Sequence, residues 1–225
     1  PPPPPPPPSF QAEDGIRDSV NGLVGSEMCI RDRAYEAAAQ GFKQGAVCRA
    51  GCAFCCTHYG PLDTLTLEGC VIQAWLAARP HSQRFSLLRK IAENRRLKEN
   101  GQAARCPFLD GRDNCRIYPL RPFSCRQLYS LRRCGDTGPT VHRAALALAQ
   151  ATVRQLQRLD DTGYSGHLTF ILALLDQPDF RRNYRSGGFD PSRIMAFAKS
   201  HRIVINRLAP SSAAASPAPT GADGG

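Results

Sequence analysis

The chain lacks a long apolar run. Its longest, Leu168–Leu175, contains Thr169, and a membrane-spanning helix needs about 20 consecutive apolar residues. We therefore expect no transmembrane segment and no membrane partner, and we expect a cytoplasmic protein. The common catalytic signatures are also missing, since there is no phosphate-binding glycine loop, no G-x-S-x-G and no H-E-x-x-H. Nucleotide-dependent and hydrolytic chemistry of those types is not predicted.

Acidic residues are scarce relative to basic ones. The chain has 19 Asp and Glu against 29 Lys and Arg, which gives a net charge of +10. A basic chain can bind nucleic acid. Here, however, the arginines are dispersed and no twin C-x2-C ribbon accompanies them, so nucleic acid is a disfavoured partner. A protein partner stays open. With 42% hydrophobic and 21% charged residues, the chain can form one domain with its own core.

Both ends lack the composition of a folded domain. The chain begins with the proline run Pro1–Pro8, and residues 209–225 are rich in Ala, Ser, Pro and Gly. Residues 9–33 show no clear helical or strand period, and they resemble translated sequencing-adapter read-through. We predict that residues 1–33 are disordered and non-native, that residues 34–208 form the domain, and that residues 209–225 form a disordered tail.

Cysteine is absent after Cys134 and concentrated before it. Nine of the 10 cysteines lie between Cys48 and Cys134. Such clustering is typical of cross-linking or of metal binding rather than of scattered packing.

The first cysteine set is compact. It reads Cys48-Arg-Ala-Gly-Cys52-Ala-Phe-Cys55-Cys56, with Gly51 providing freedom for a tight turn. Short spacings let a loop direct several thiolates at one ion, and thiolates select zinc or iron–sulfur clusters. Neighbouring side chains of an extended segment point apart, so we hypothesise that Cys55 and Cys56 serve different ions.

Two other interpretations compete for this set. Disulfides suit small secreted chains without a core, but this chain has helical core segments and an odd cysteine count in the cluster. The spacing of Cys48, Cys52 and Cys55 also matches a radical-SAM cluster. Such enzymes need a long βα barrel, and the segments here have helical periodicity without alternating strands.

A second set contains Cys106, Cys115 and Cys125. Turn-forming residues between Cys106 and Cys115 predict a small hairpin that carries both thiols. Two prolines, Pro119 and Pro122, stiffen the approach to Cys125.

Together these motifs resemble a known family. The patterns C-x3-C-x2-C-C, C-P-F-L, C-x-I-Y and R-P-x-x-C-R are similar to the YkgJ-like zinc- or iron-chelating cysteine-cluster domains. The resemblance covers Cys48 to about Cys134. It implies that the chelating residues are Cys48, Cys52, Cys55, Cys56, Cys106, Cys115 and Cys125. It also implies roles beside the site for Arg121 and Arg126. A related domain occurs in bacterial flagellin lysine methylases.

The thiol count fits two sites. Cys134 supplies an eighth thiol once Cys70 is set aside as a packed helix residue, and eight thiols fill two four-thiolate sites. Nearby arginines, Arg121 and Arg126 among them, would offset the negative charge of the thiolates. His58 is interpreted as a loop residue, with ligation as the alternative. Trp75 and Tyr118 are interpreted as core aromatics, and Tyr118 as a possible cover for the site.

Helical periodicity accounts for much of the remaining domain. We predict helices over 34–44, 67–78, 81–100, 139–161, 164–176 and 191–202. Thr64 or Thr66 is the expected cap of the second helix, and Asp190 that of the last. The predicted fold class is mostly α, with a cysteine-rich irregular lobe and a minor β-hairpin. The motif core is 48–134 and the helical remainder 135–208.

The sequence predicts a metal-binding protein whose cofactor is zinc or an iron–sulfur cluster. Two alternatives stay open. One is an enzyme, either an iron–sulfur redox protein or a protein-modifying, lysine-methylase-like protein, although no S-adenosylmethionine-binding motif is recognisable. The other is a zinc-dependent nucleic-acid-binding module.

Overall fold

The computed structural model describes residues 20–58, 62–135 and 138–208, with side chains from Glu27 onward. Most of these residues lie in helices, which confirms the mostly-α fold class. The helices are α1 Val20–Ala39, α2 Phe54–Thr57, α3 Thr66–Ala77, α4 His81–Glu99, α5 Phe123–Gln127, α6 Arg143–Leu159, α7 Leu168–Leu175, α8 Pro178–Arg185 and α9 Met195–His201. Single 3-10 turns occur at Gly41–Lys43, Tyr118–Leu120, Pro191–Ile194 and Asn206–Leu208. The part of the chain described contains no helix long and apolar enough to cross a membrane.

A small antiparallel sheet joins distant parts of the chain. Its strands are β1 Asp63–Leu65, β2 Tyr164–His167 and β3 Val204–Ile205, with β2 in the middle. Thr64 pairs with Gly166 across β1 and β2, and Ser165 pairs with Val204 across β2 and β3. The sheet therefore links the segment that follows the first cysteine set to the C-terminal helices.

Helix α7 lies at the centre of the molecule. All eight of its residues are buried. One side packs on α8 and α9 through Ile171 and Leu174, and the other meets α3 and α4 through Leu168 and Leu172. A helix that is apolar on every side needs neighbours on every side. Helices α3, α4 and α8 supply them.

The N-terminus of α3 is held by a buried carboxylate from far along the chain. Asp160, at the end of α6, accepts hydrogen bonds from the Leu67 backbone N–H at 3.2 Å and from the Tyr184 hydroxyl at 2.5 Å. The Asn206 side-chain amide donates to the Asp160 carboxylate at 3.2 Å and to the Asp160 main-chain carbonyl at 2.8 Å. Three separate segments thus meet at one side chain.

The structure corrects the prediction for residues 9–33 in part. Residues 20–33 lie in α1, and Met28 is buried with Tyr35 and Ala39 in an apolar cluster. Helix α1 packs on α6, and this tertiary contact compensates for the weak helical periodicity of its sequence. The remaining residues of that segment, 1–19, lie outside the described residues, as does the predicted tail 209–225.

Several element boundaries also differ from prediction. The helix expected over 34–44 is the last part of α1 and ends at Ala39. Residues Tyr164–His167 form β2 rather than the start of a helix, because two neighbouring strands pair with them. Helix α8 lies outside all of the predicted helices. Asp190 does cap the Pro191–Ile194 turn, as predicted, by accepting from the Ser192 N–H at 3.2 Å.

We predict that Asp160 makes stability depend on pH. Burial raises its pKa from 3.8 to about 7, so the folded chain holds this proton more tightly than the unfolded chain does. The free energy of unfolding should therefore fall as the pH rises from about 4 to about 7. Urea titrations across that range should show a shallower fall for Asp160→Asn. The exposed neighbour Asp161 provides the control, since Asp161→Asn should keep the wild-type slope. Equal slopes for Asp160→Asn and wild type would contradict the assignment.

Candidate metal centre

The first cysteine loop is fixed to a second loop by its backbone. The Val47 N–H donates to the Ser130 carbonyl at 2.9 Å, which places Cys48 beside the segment that leads to Cys134. The turn after Cys48 depends on Gly51, whose φ of +80° lies in the left-handed region. Gly51 therefore adopts a backbone conformation that favours glycine, in agreement with the tight turn predicted from the sequence.

Cys55 and Cys56 lie in the short helix α2, not in an extended segment as predicted. Successive side chains on a helix are about 100° apart, so the two thiols still diverge. The Cys56 carbonyl accepts the Cys106 N–H at 2.7 Å. This hydrogen bond brings the second cysteine set against the first, on the side of Cys56.

The predicted hairpin between Cys106 and Cys115 is reduced to a single bridge, in which Leu109 pairs with Cys115. The Asp110 carboxylate organises the turn, because it accepts the N–H groups of Arg112 and Asn114 at 2.8 and 2.9 Å. Self-capping of this kind shortens the paired stretch, and the ordinary ladder of a hairpin does not form. The turn nevertheless returns Cys115 to the vicinity of Cys106.

The R-P-x-x-C-R segment folds on itself. The Arg126 guanidinium donates to the carbonyls of Arg121 and Pro119 at 3.0 and 2.9 Å. It also lies 3.7 Å from the Asp32 carboxylate. Arg126 therefore acts on the backbone of its own segment and holds the approach to Cys125, which lies in α5.

The thiols fall into two neighbourhoods. The outer group, as we name it, contains Cys48, Cys52, Cys55 and Cys134. Burial raises the pKa of Cys55 to about 12, with further contributions from Cys134, Cys56 and Cys48. Burial likewise raises the pKa of Cys48, and its thiol neighbours are Cys52 and Cys134. Cys134 thus joins the thiols of the first loop.

The inner group, as we name it, contains Cys56, Cys106, Cys115 and Cys125. Burial raises the pKa of Cys106 to about 12, with Cys56 and Cys115 as its thiol neighbours. Burial also raises the pKa of Cys125, with further contributions from the thiols of Cys106, Cys56 and Cys115. These thiols are protonated at neutral pH in the metal-free chain, so a bound ion has to displace their protons.

Neither thiol group is a preformed metal site in the described part of the structure. Within the described ranges, no three Cys, His, Asp or Glu side chains have an arrangement that could hold an ion. All ten cysteines are free thiols. Each group would therefore have to close around its ion by moving side chains, which short loop segments allow.

Arg121 supports the fit between the inner group and an anionic metal site. Its Nε is a buried atom without a hydrogen-bond partner among the described residues. Its guanidinium stacks on Tyr118 at 3.9 Å and lowers the pKa of both Cys56 and Cys115, against the larger effect of burial. Four thiolates around a divalent ion carry a net charge of −2. The negative charge of the thiolate donor set and the positive charge of Arg121 therefore suit one another.

Glu68, in the first turn of α3, takes the place of the expected Thr64 or Thr66 cap. Its carboxylate accepts from the Leu65 N–H at 2.9 Å. The same carboxylate accepts from the Thr64 hydroxyl at 3.1 Å and from the Phe123 N–H at 2.6 Å. It joins α3 to α5 and so positions the helix that carries Cys125. The contacts with Thr64 and Leu65 are local in sequence, whereas the contact with Phe123 depends on the tertiary fold.

Three further predicted residues can now be placed. Cys70 packs on the α7–α9 core, as predicted, and belongs to neither thiol group. His58 stacks on Phe54 at 4.9 Å and is exposed on its loop. Tyr118 is 59% exposed, so its interpretation as a core aromatic is wrong, because its ring lies under the Arg121 guanidinium at the surface. Trp75 is half-buried against Phe108, consistent with a packing role.

His167 was not singled out from the sequence. It lines a cavity of about 10 Å³ together with Cys56 and Cys106. Its Nδ1 lies 3.0 Å from the Thr169 hydroxyl. No sequence signal places it there, because the contact depends on the pairing of β2 with β1.

Comparison with known proteins gives one match. Residues 47–140 match the model of the CxxCxxCC family, described as a "putative zinc- or iron-chelating domain". The matched range includes all eight cysteines of the outer and inner groups. The search of curated proteins and the search of solved structures gave no match.

We predict that Glu68 is required for the stability of the lobe. Glu68→Ala leaves the N–H groups of Leu65 and Phe123 without their acceptor, and each such buried donor costs about 1–3 kcal/mol. Urea unfolding should therefore show a loss of at least about 2 kcal/mol. The control is Glu93→Ala, which removes an exposed carboxylate paired with Arg96 and should leave the midpoint near that of wild type. Equal losses in the two variants would contradict the positioning role.

Proposed function

We propose that this chain binds two metal ions through two separate sets of four cysteine thiolates, because residues 47–140 match the model of the CxxCxxCC family of zinc- or iron-chelating domains. The outer set is Cys48, Cys52, Cys55 and Cys134. The inner set is Cys56, Cys106, Cys115 and Cys125. Metal ions bound by four thiolates are held tightly and have no open position for a substrate, so we infer a chelating role rather than hydrolysis.

The observation that carries this proposal is the divergence of Cys55 and Cys56. They are adjacent in sequence, yet the thiol that raises the pKa of Cys55 most is Cys134 and the thiol that raises the pKa of Cys56 most is Cys115, with Cys52 contributing to both. The backbone supports the division on both sides. A backbone hydrogen bond joins Val47 to Ser130 in the loop before Cys134, and another joins Cys106 to Cys56. A single shared site would need all these thiols on one side of α2.

We propose zinc rather than an iron–sulfur cluster as the occupant of each set. Four thiolates complete the tetrahedral coordination of Zn²⁺ without any added inorganic sulfide. Iron–sulfur clusters use the same cysteine ligands, so the metal content of the protein decides between the two.

The site also requires reduced thiols. A disulfide between any two cysteines of one set would remove two of its ligands. The cytoplasm keeps thiols reduced, so the proposed function is best supported in that compartment.

The proposal predicts two zinc ions for each chain purified without chelator. Cys115→Ser and Cys134→Ser should each lower the bound zinc to one, because each removes a ligand from a different set. The double variant should bind none. Elemental analysis of the full chain, normalised to protein concentration, measures all three values.

Cys70→Ser is the matched control, since Cys70 is a half-buried thiol outside both sets and its loss should leave two zinc ions bound. One zinc per wild-type chain would overturn the two-set arrangement. Iron with acid-labile sulfide in place of zinc would overturn the choice of metal and would favour the redox enzyme instead.

We predict a separate effect of charge at the inner set. Arg121→Gln removes the cation next to Cys56 and Cys115, and groups of this kind change metal affinity by about 10–100-fold. Competition with a chromophoric chelator should show weaker binding of one of the two zinc ions. Arg116→Gln, an exposed change on the same segment, should leave both affinities unchanged. Equal effects of the two variants would contradict a local role for Arg121.

A further inference from the structure

The two cysteine sets differ in their access to solvent. Cys48 and Cys52 of the outer set are exposed. The four cysteines of the inner set are all partly buried, and Cys106 and Cys115 pack against the apolar cluster between α3, α4 and α7. An ion held by the inner set would be shielded by the core. An ion held by the outer set would be within reach of a molecule in solution.

The outer set lies in a surface depression. The depression has a volume of about 540 Å³, within the range of sites for small molecules. Three outer cysteines line it, Cys48, Cys52 and Cys134. The rest of the lining is Val47, Arg49, Ala50, Gly51, Phe54 and Arg133.

The charge of this lining is one-sided. Arg49 and Arg133 are present, and no acidic side chain lines the depression among the residues that the structure describes. Both arginines are exposed, so their charges face a molecule that approaches from solvent. A ligand with carboxylates is therefore favoured over a cationic one.

We propose that the outer set is an exchange site, at which a small anionic thiol enters the depression and takes over the bound zinc ion or delivers one. This inference rests on the proposed two-set function, and it assigns different roles to the sets. The outer ion is cargo, and the inner ion stays with the fold.

The exchange is a ligand substitution without electron transfer. The incoming thiolate forms a sulfur–zinc bond, and the bond to the Cys134 sulfur breaks. The released Cys134 thiolate takes a proton from solvent, which balances the proton that the incoming thiol gave up. Repetition at Cys48 and Cys52 frees the ion, and the reverse sequence loads it. A preformed opening on the thiol side is the structural requirement, and the depression meets it.

The first test uses the zinc-loaded full chain and a chromophoric chelator in excess. Zinc should leave in two phases of equal amplitude, with the fast phase at least about tenfold faster than the slow one. Cys134→Ser should abolish the fast phase and keep the slow one, whereas Cys115→Ser should do the opposite. A single phase, or loss of the slow phase in Cys134→Ser, overturns the inference but leaves two-ion binding intact. Absence of bound zinc overturns the proposed function as well.

The second test identifies the class of thiol. Glutathione, 2-mercaptoethanol and cysteamine are anionic, neutral and cationic, and they are compared at equal thiolate concentration. The fast phase should accelerate most with glutathione and least with cysteamine. The Arg49→Gln/Arg133→Gln double variant should reduce the glutathione effect by about 3–10-fold at low salt, since exposed charges steer an approaching anion. Equal rates with the three thiols overturn the anionic specificity.

A matched charge control separates local from global effects. The Arg84→Gln/Arg89→Gln variant removes the same charge from exposed positions on α4, outside the lining of the depression. It should keep the wild-type response to glutathione. If it reduces the response as much as the Arg49→Gln/Arg133→Gln variant does, the depression is not the binding site for the thiol and the inference is overturned.

Discussion

The buried N-terminus of α3 is the junction on which the domain depends. Two buried carboxylates accept hydrogen bonds there, Glu68 from the first turn of α3 itself and Asp160 from the end of α6. Glu68 accepts from Leu65 and Phe123, and Asp160 accepts from Leu67 and Tyr184. Burial raises the pKa of each carboxylate to about 7, because the charged form loses its hydration inside the fold. These hydrogen bonds connect the cysteine lobe and the C-terminal helices at one point of the fold.

This junction explains how a lobe with little regular structure holds its thiols in order. The inner cysteines are carried by short pieces of chain, which are a turn, a single bridge and the five-residue helix α5. None of these would be stable alone. Glu68 fixes the start of α5, Arg126 fixes the segment before it, and the Cys106 N–H bond to Cys56 fixes the remainder. These hydrogen bonds already position the backbone, so binding of a metal ion would mainly require the thiol side chains to move.

Periodicity and motif spacing predicted the parts of the structure that depend on local sequence. Helix α4, the Asp110 turn and the left-handed Gly51 all follow from their own residues. The sequence also led us to place Cys55 and Cys56 in different neighbourhoods, but through an extended backbone, whereas the structure has a helix. The missed features depend on contacts between remote segments. Residues 164–167 become a strand because β1 and β3 pair with them, and residues 20–33 become helical on the surface of α6.

The same distinction applies to the site. The eight candidate thiols were named from the sequence, seven through the family resemblance and Cys134 through the thiol count. Their division into two sets could not be predicted in this way, because it depends on which loops α2 faces. Cys134 joins the outer set through the bond between Val47 and Ser130, more than 80 residues apart in sequence. Exposure then follows from this division: loops joined at the surface leave their thiols open to solvent, and loops joined over the core cover theirs. The inner thiols are thus more protected than Cys48 and Cys52, although all of them are cysteines, because the two groups occupy different positions in the fold.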